Sequence, residues 1–244
     1  MGDLEHSAEF HKHLDTYRLS ETAARSINRL TLVLLVGPSS SGRNAVIREL
    51  VKTGEFHYIV SDTTREPRTN DGVPEENGRE YWFRSSEDVL DDIKTGHYLE
   101  AAIIHKKHVY GISVRELNKA LQDNKIAITD IEIVGAANIH RAKPDASIIF
   151  VIPPSFPVWI ERLHHRGALP EEEVRRRLES ALVEFDAALT EDYYTYVIND
   201  ALDEAVAAIY EMSKLGRVYR DNQLRGRALI EQLIKDTRSY LYQA

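Results

Sequence analysis

Leu30-Thr31-Leu32-Val33-Leu34-Leu35-Val36 runs into Gly37-Pro38-Ser39-Ser40-Ser41-Gly42-Arg43-Asn44 and then into Ala45-Val46-Ile47-Arg48-Glu49-Leu50-Val51-Lys52. The first segment is almost continuously apolar and rich in branched residues, which describes a strand buried on both faces; a strand with one wet face would alternate. The last segment has helical periodicity. A strand that enters a helix through a Gly/Ser loop can wrap an anion, because glycines let the backbone turn and the helix's opening N–H groups lack acceptors of their own. The glycines here keep the G-x-x-x-x-G spacing of a phosphate-binding loop, with Arg43 at the usual lysine and Asn44 at the usual hydroxyl residue. Arg43 retains the charge as a planar fork, and Asn44 offers a neutral carbonyl oxygen. Alone, the motif reads either as a phosphate-binding loop or as an ordinary Gly-rich strand-to-helix turn.

Further buried-strand patterns lie at Lys125–Ile131, Ser147–Ile152 and Tyr194–Ile198. Helical patterns separate them at Val114–Gln122, Gly135–Arg141, Pro157–His165, Pro170–Leu189 and Leu202–Leu215. This alternation predicts an α/β fold with a parallel sheet flanked by helices. From Ser61 to about Ser113 the rhythm breaks: a turn cluster from Thr69 to Gly78 and a strand-like piece at Tyr81–Arg84 describe a small mixed α/β lobe inserted into the core. The polar first 28 residues read as one or two helical segments outside the core. Residues 217–244 read as an amphipathic helix, with Leu229, Ile230, Leu233, Ile234, Tyr240 and Leu241 set to pack on the chain's own surface, or else on another subunit or a membrane surface.

The 244 residues are 43% hydrophobic and 29% charged, proportions of an ordinary globular protein that exclude a disordered or fibrous chain. With no cysteine, a disulfide framework, a Cys-ligated zinc, an iron–sulfur cluster and a cysteine nucleophile are all excluded. No apolar run approaches the roughly 20 residues needed to span a bilayer, and the first thirty residues are too polar for a signal peptide, so a cytoplasmic protein with no membrane span is expected. A net charge of −8 argues against a general affinity for nucleic acid. Glu171-Glu172-Glu173 beside Arg175-Arg176-Arg177 reads, by itself, as a solvated helix face.

A second constellation is more specific. Ser61-Asp62-Thr63-Thr64-Arg65-Glu66-Pro67-Arg68 is followed by Asn77-Gly78-Arg79-Glu80-Tyr81-Trp82-Phe83. Two guanidinium forks and a phenol can surround the oxygens of a phosphate monoester. With these residues the chain resembles the guanylate kinase family, whose signature runs T-T-R-x-P-R and then N-G-x-x-Y-x-F. The resemblance covers roughly residues 30 to 214 and leaves both ends uncovered.

The resemblance implies a P-loop kinase-type nucleotide core at 29–60 and 114–215, an arginine lid at about 163–176 and a GMP-binding lobe at 61–113. Helical extensions at 1–28 and 216–244 lie outside that pattern. It implies that Ser61, Arg65, Arg68, Tyr81 and Tyr110 hold the GMP phosphate and nucleotide, and that Glu100 reads the Watson–Crick edge of guanine. Asp130 and Glu132 would join the GMP site at the end of a core strand. Gly37, Ser39, Ser40, Ser41, Gly42, Arg43, Asn44 and Asn199 would bind ATP, and Arg43, Arg162, Arg166 and Arg177 would neutralise charge during catalysis. Mg2+ is the implied cofactor, with Asn44 and Asp130 as its protein ligands. The chain departs from the family at Arg43, Asn44 and Glu132, and at Ile112, where a Ser or Thr usually helps recognise guanine; the turn between Arg68 and Asn77 is also about four residues longer. Two functions follow from these residues. One is in-line phosphoryl transfer from ATP to GMP; the other is a guanylate-kinase-like module that binds a nucleotide or a phosphorylated partner without transfer. The implied partners are small nucleotides and not nucleic acid, and the chain is expected to be a monomer or homodimer.

Overall fold

The computed structural model describes residues 4–70, 72–104, 106–165 and 169–243. Its first elements are α1 (Ser7–Asp15), α2 (Glu21–Ile27), β1 (Leu32–Val36), α3 (Arg43–Lys52), β2 (Phe56–Tyr58), β3 (Asp62–Thr63), β4 (Thr69–Asn70), β5 (Val73–Pro74) and β6 (Trp82–Phe83). There follow α4 (Ser86–Lys94), β7 (Tyr98–Ile104), β8 (His108–Ser113), α5 (Val114–Gln122), β9 (Ile126–Asp130) and α6 (Ile133–Ala142). The last third holds β10 (Ser147–Ile152), α7 (Phe156–His164), α8 (Glu171–Thr190), β11 (Tyr194–Ile198), α9 (Leu202–Leu215) and α10 (Arg220–Gln243). Two compact units are formed: one from Met1–Thr31, Phe56–Ala127 and Ala137–Asp145, the other from Leu32–Glu55, Ile128–Ala136 and Ala146–Ala244.

The second unit is the α/β sheet expected from the alternating pattern. Its strands run in the order β11-β10-β1-β9, with β1 parallel to β10 (Val33 opposite Ser147) and β10 parallel to β11 (Ile148 opposite Tyr194). All five residues of β1 are buried, because helices cover both faces of a parallel sheet and leave no wet side to alternate toward. Helix α8 turns Val174, Leu178, Ala181, Phe185 and Ala188 inward at three- and four-residue spacing, while Glu171, Glu172 and Glu173 sit in its first turn, where negative charge complements the helix dipole. Helix α10 lies against α8 and β11 and buries Ile230, Leu233 and Ile234. Its Gln223 side chain accepts from the Tyr196 N–H at 2.7 Å and donates to the Tyr196 carbonyl at 3.2 Å, so one glutamine continues the hydrogen bonding that another strand would supply beside β11. Gly226 permits this approach, since a Cβ there would stand 2.6 Å from Tyr196 Cβ.

The first unit carries a four-stranded sheet in the order β6-β3-β8-β7. β8 runs antiparallel to both β3 and β7, and β3 runs parallel to β6. The long turn after Arg68 is taken up by a two-stranded ribbon, β4 against β5. One expectation is corrected here. The first 28 residues do form two helices, yet they do not stand outside a core: Phe10 is fully buried in a cluster with Leu4, Val89, Leu90, Ile93, Tyr98 and Val109, and Leu14 and Tyr17 pack against it. A short helix with only a few apolar positions has little periodicity to read, and its burial depends on residues some eighty positions away.

Candidate active site

In the second unit, β1 delivers the chain into the loop 37–44. Gly37, Ser40 and Gly42 all have positive φ (140°, 65° and 98°), a succession that curls the backbone of the loop. A Cβ at Gly37 would collide with the Val151 carbonyl and one at Gly42 with the Asn199 amide, so both positions require glycine. The Ser40 and Ser41 hydroxyls are buried without a partner. The loop is held from outside by three side chains: Asn199 Nδ2 donates to the Ser41 carbonyl at 2.8 Å, the buried Trp159 Nε1 donates to the Ser39 carbonyl at 2.8 Å, and Arg177 Nη1 donates to Ser39 Oγ at 3.4 Å.

Arg43 opens α3 and reaches the carboxyl end of β9, with Nη1 3.4 Å from the Ile131 carbonyl and 4.0 Å from Asp130 Oδ2. Asn44 is exposed. Arg162 donates to the carbonyls of Asn199 at 2.9 Å and Asp200 at 3.4 Å. Arg177 also donates to Glu173 at 2.8 Å, and the hydrogen bonds from Arg176 and Arg177 hold the Glu173 carboxyl down at about 2. Arg166 lies outside the described residues. Burial pushes the Glu184 carboxyl of α8 up to about 7; Arg43 draws it down and Glu132 pushes it further up, which places Glu184 in the charge balance of this loop. The structure thus sets Arg43 against Asp130, places Asn199 against Ser41 and Gly42 with Arg162 bonded to its carbonyl, and brings Arg177 to Ser39.

In the first unit, Arg65 is 6% exposed and Tyr110 accepts from its Nε at 3.1 Å. Its Nη1 and Nη2 hold the Glu75 carboxylate bidentately at 2.8 and 3.1 Å, and Nη1 also reaches the Glu66 carbonyl at 2.7 Å. Tyr81 lies beneath the guanidinium, 5.3 Å from it, and meets Tyr110 edge-on at 5.5 Å. Glu75 also accepts from the Arg68 N–H at 2.8 Å, joining the two signature arginines through one carboxylate. Arg68 itself is exposed, and the Ser61 carbonyl accepts from the Trp82 N–H at 2.9 Å, fixing the start of β3 against β6.

Glu100 sits on β7 opposite Ile112. Burial pushes its carboxyl up to about 7 against a hydrogen bond from Asn138 that favours the charged form. Ser113, the residue after Ile112, pairs with Tyr98, and its buried Oγ has no partner.

Four residues of these two sites carried no local signal in the sequence. Trp159 and Glu184 sit on helices whose apolar and charged positions resemble those of any other. Glu75 stands in a turn cluster where acidic residues are common, and Asn138 in an apolar helix.

A family model described as guanylate kinase matches residues 29–214. A guanylate kinase of Corynebacterium glutamicum is 36% identical over 183 residues, covering 74% of this chain and 93% of that protein. One from Trichormus variabilis is 34% identical over 179 residues, covering 73% and 86%. A crystal structure of guanylate kinase from Anaplasma phagocytophilum has the same fold, with a TM-score of 0.55 at 24% identity over 83% of this chain and 93% of that one. Since both the model match and these relatives cover most of the chain, the protein belongs to the guanylate kinase family.

Proposed function

We propose that the protein transfers the γ-phosphoryl group of ATP to GMP, giving ADP and GDP. A GMP phosphate oxygen attacks the γ-phosphorus, the bond from that phosphorus to the bridging oxygen breaks, and the electron pair leaves with ADP. The acceptor is already an anion, so no side-chain nucleophile or strong base is required; positioning and charge neutralisation do the work. In this reading Gly37, Ser39, Ser40, Ser41, Gly42 and Asn44 cradle the donor phosphates, Asn199 fixes the loop, and Arg43, Arg162, Arg166 and Arg177 neutralise the charge that develops. Ser61, Arg65, Arg68, Tyr81 and Tyr110 bind the acceptor phosphate and nucleotide, Asp130 and Glu132 border the acceptor, and Glu100 accepts from the guanine ring N–H and exocyclic amine.

Mg2+ fits this donor set as an ion carried by the nucleotide. Among the described residues no three His, Cys, Asp or Glu side chains are grouped to hold a metal, whereas Asp130 offers a partly exposed, hard carboxylate at the end of β9. Mg2+ commonly uses one or two carboxylates with phosphate oxygens and water. Asp130 and Asn44 would hold it; when bound, it neutralises the β- and γ-phosphate oxygens.

The observation that carries the reading is the loop conformation: left-handed backbone at Ser40 and Gly42 and two buried, unpartnered hydroxyls persist although the lysine and the metal-binding hydroxyl are replaced. The contact of Arg43 with Asp130 and the Ile131 carbonyl favours the second reading, a module that binds nucleotide without transfer. ADP release with ATP, Mg2+ and each of GMP, dGMP, AMP, UMP and CMP decides between them. GMP-dependent turnover that is abolished in Arg43→Ala and kept in Arg43→Lys is expected; GMP binding with no turnover on any acceptor establishes the binding module.

A further inference from the structure

The residues ahead of the family match at 29–214 reach the strand that carries Glu100. β7 is an edge strand of its sheet, a position that leaves backbone donors and acceptors without a neighbouring strand. At Tyr98 both are taken by one side chain: the Tyr17 hydroxyl accepts from the Tyr98 N–H at 2.8 Å and donates to the Tyr98 carbonyl at 2.5 Å. Immediately beyond this clamp the register of β7 on β8 shifts, with Tyr98 opposite Ser113 and Glu100 opposite Ile112, so that Leu99 is the extra residue of a bulge. Bulges re-aim the side chains beside them.

A second tie holds the same segment. Ser20 N–H donates to the Gly96 carbonyl at 3.0 Å, and a Cβ at Gly96 would stand 2.5 Å from Ser20 N and 2.8 Å from the Arg18 carbonyl. Tyr98 is anchored at its far end as well, its phenol donating to Asp62 Oδ2 at 2.7 Å, while Asp62 also receives Arg84 at 3.1 Å and Arg115 at 3.0 Å. Its ring is fully buried, so the one residue between Tyr98 and Glu100 leaves little freedom in where the carboxylate points.

We propose that Tyr17 is a positioning residue for base recognition: by clamping both backbone groups of Tyr98 it fixes the bulge that aims Glu100. The inference rests on the reading of Glu100 given above and assigns part of acceptor recognition to the segment that joins α1 to α2.

The test uses the full chain with Tyr17→Phe, which removes one oxygen and keeps the ring. GMP KM rises about tenfold while ATP KM and kcat stay within about twofold, the effect of one lost hydrogen-bonding group. Amide hydrogen exchange at Tyr98 and Glu100 accelerates, and the midpoint of the Glu100 carboxyl-carbon NMR titration moves. Phe10→Leu trims the same apolar cluster without touching the phenol; it lowers Tm and leaves GMP KM unchanged. The proposal is overturned if Tyr17→Phe alters only Tm, or if Phe10→Leu raises GMP KM as much. Exchange and titration report on Tyr17 without catalysis, whereas unaltered guanine preference in Glu100→Gln would remove the reading of Glu100 itself and leave the clamp standing.

Discussion

Glu75 and Glu100 show how burial assigns different chemistry to two carboxylates of the same unit. Glu75 is ion-paired and 8% exposed along its side chain, and it neutralises the equally buried Arg65. Removing it in Glu75→Ala leaves a buried guanidinium without counter-charge, a loss on the order of 3–5 kcal/mol; a fall of that size in urea-unfolding free energy is expected, together with a raised GMP KM. An unchanged unfolding midpoint would mean that Arg65 recruits another partner. Among the described residues no cation stands against Glu100, and burial raises its carboxyl to about 7. Below its unfolded value near 4.5 both states are protonated. Between there and about 7 the unfolded chain loses the proton that the folded chain keeps, so stability falls with rising pH by roughly 3 kcal/mol and is flat above. Subtracting the Glu100→Gln profile isolates this term from Glu184, which is raised to the same range. In the proposed recognition of guanine the sign is opposite: the ionised carboxylate would be the acceptor, so kcat/KM for GMP is expected to rise through about pH 7, and Glu100→Gln to lower the rate and remove that rise.

Among the elements, the strand–loop–helix unit of β1 and α3 obtains its shape locally and its rigidity from elsewhere. The glycines and Ser40 set the turn, while Trp159 on α7 and Asn199 after β11 pin two of its carbonyls. Trp159→Phe keeps most of the packing and leaves the Ser39 carbonyl without that donor, a cost of about 1–3 kcal/mol. The expected outcome is a lowered Tm and an ATP KM raised several-fold, with GMP KM unchanged; equal changes in both KM values would show a general loosening. Arg162 illustrates the reverse dependence. Its place in α7 follows from helical periodicity, but its hydrogen bonds go to the backbone of Asn199 and Asp200, whose position is set by β11.

For the whole molecule, the two terminal segments outside the family match are built into the units they touch. Helix α10 buries Ile230, Leu233 and Ile234, each contributing about 1.5–3 kcal/mol of apolar burial, so their sum rivals the net stability of a typical domain. A chain ending at Gly216 is therefore expected to lose its cooperative thermal transition by circular dichroism; a transition within a few degrees of the full chain would show α10 to be dispensable. Much of the architecture was legible because it is written in continuous patterns. The apolar runs of β1, β10 and β11 demand burial wherever they occur, and the glycines of loop 37–44 and the arginine signature at 65–68 restrict local backbone and charge without reference to the rest of the chain. Tertiary structure alone decided that Glu75 holds Arg65, that Trp159 and Asn199 hold the loop, and that Tyr17 holds the strand bearing Glu100. Each is a contact between residues far apart in sequence, or from a turn with no periodicity, and a hydrogen bond or ion pair of that kind exists only once packing has brought its two ends together and excluded water from between them.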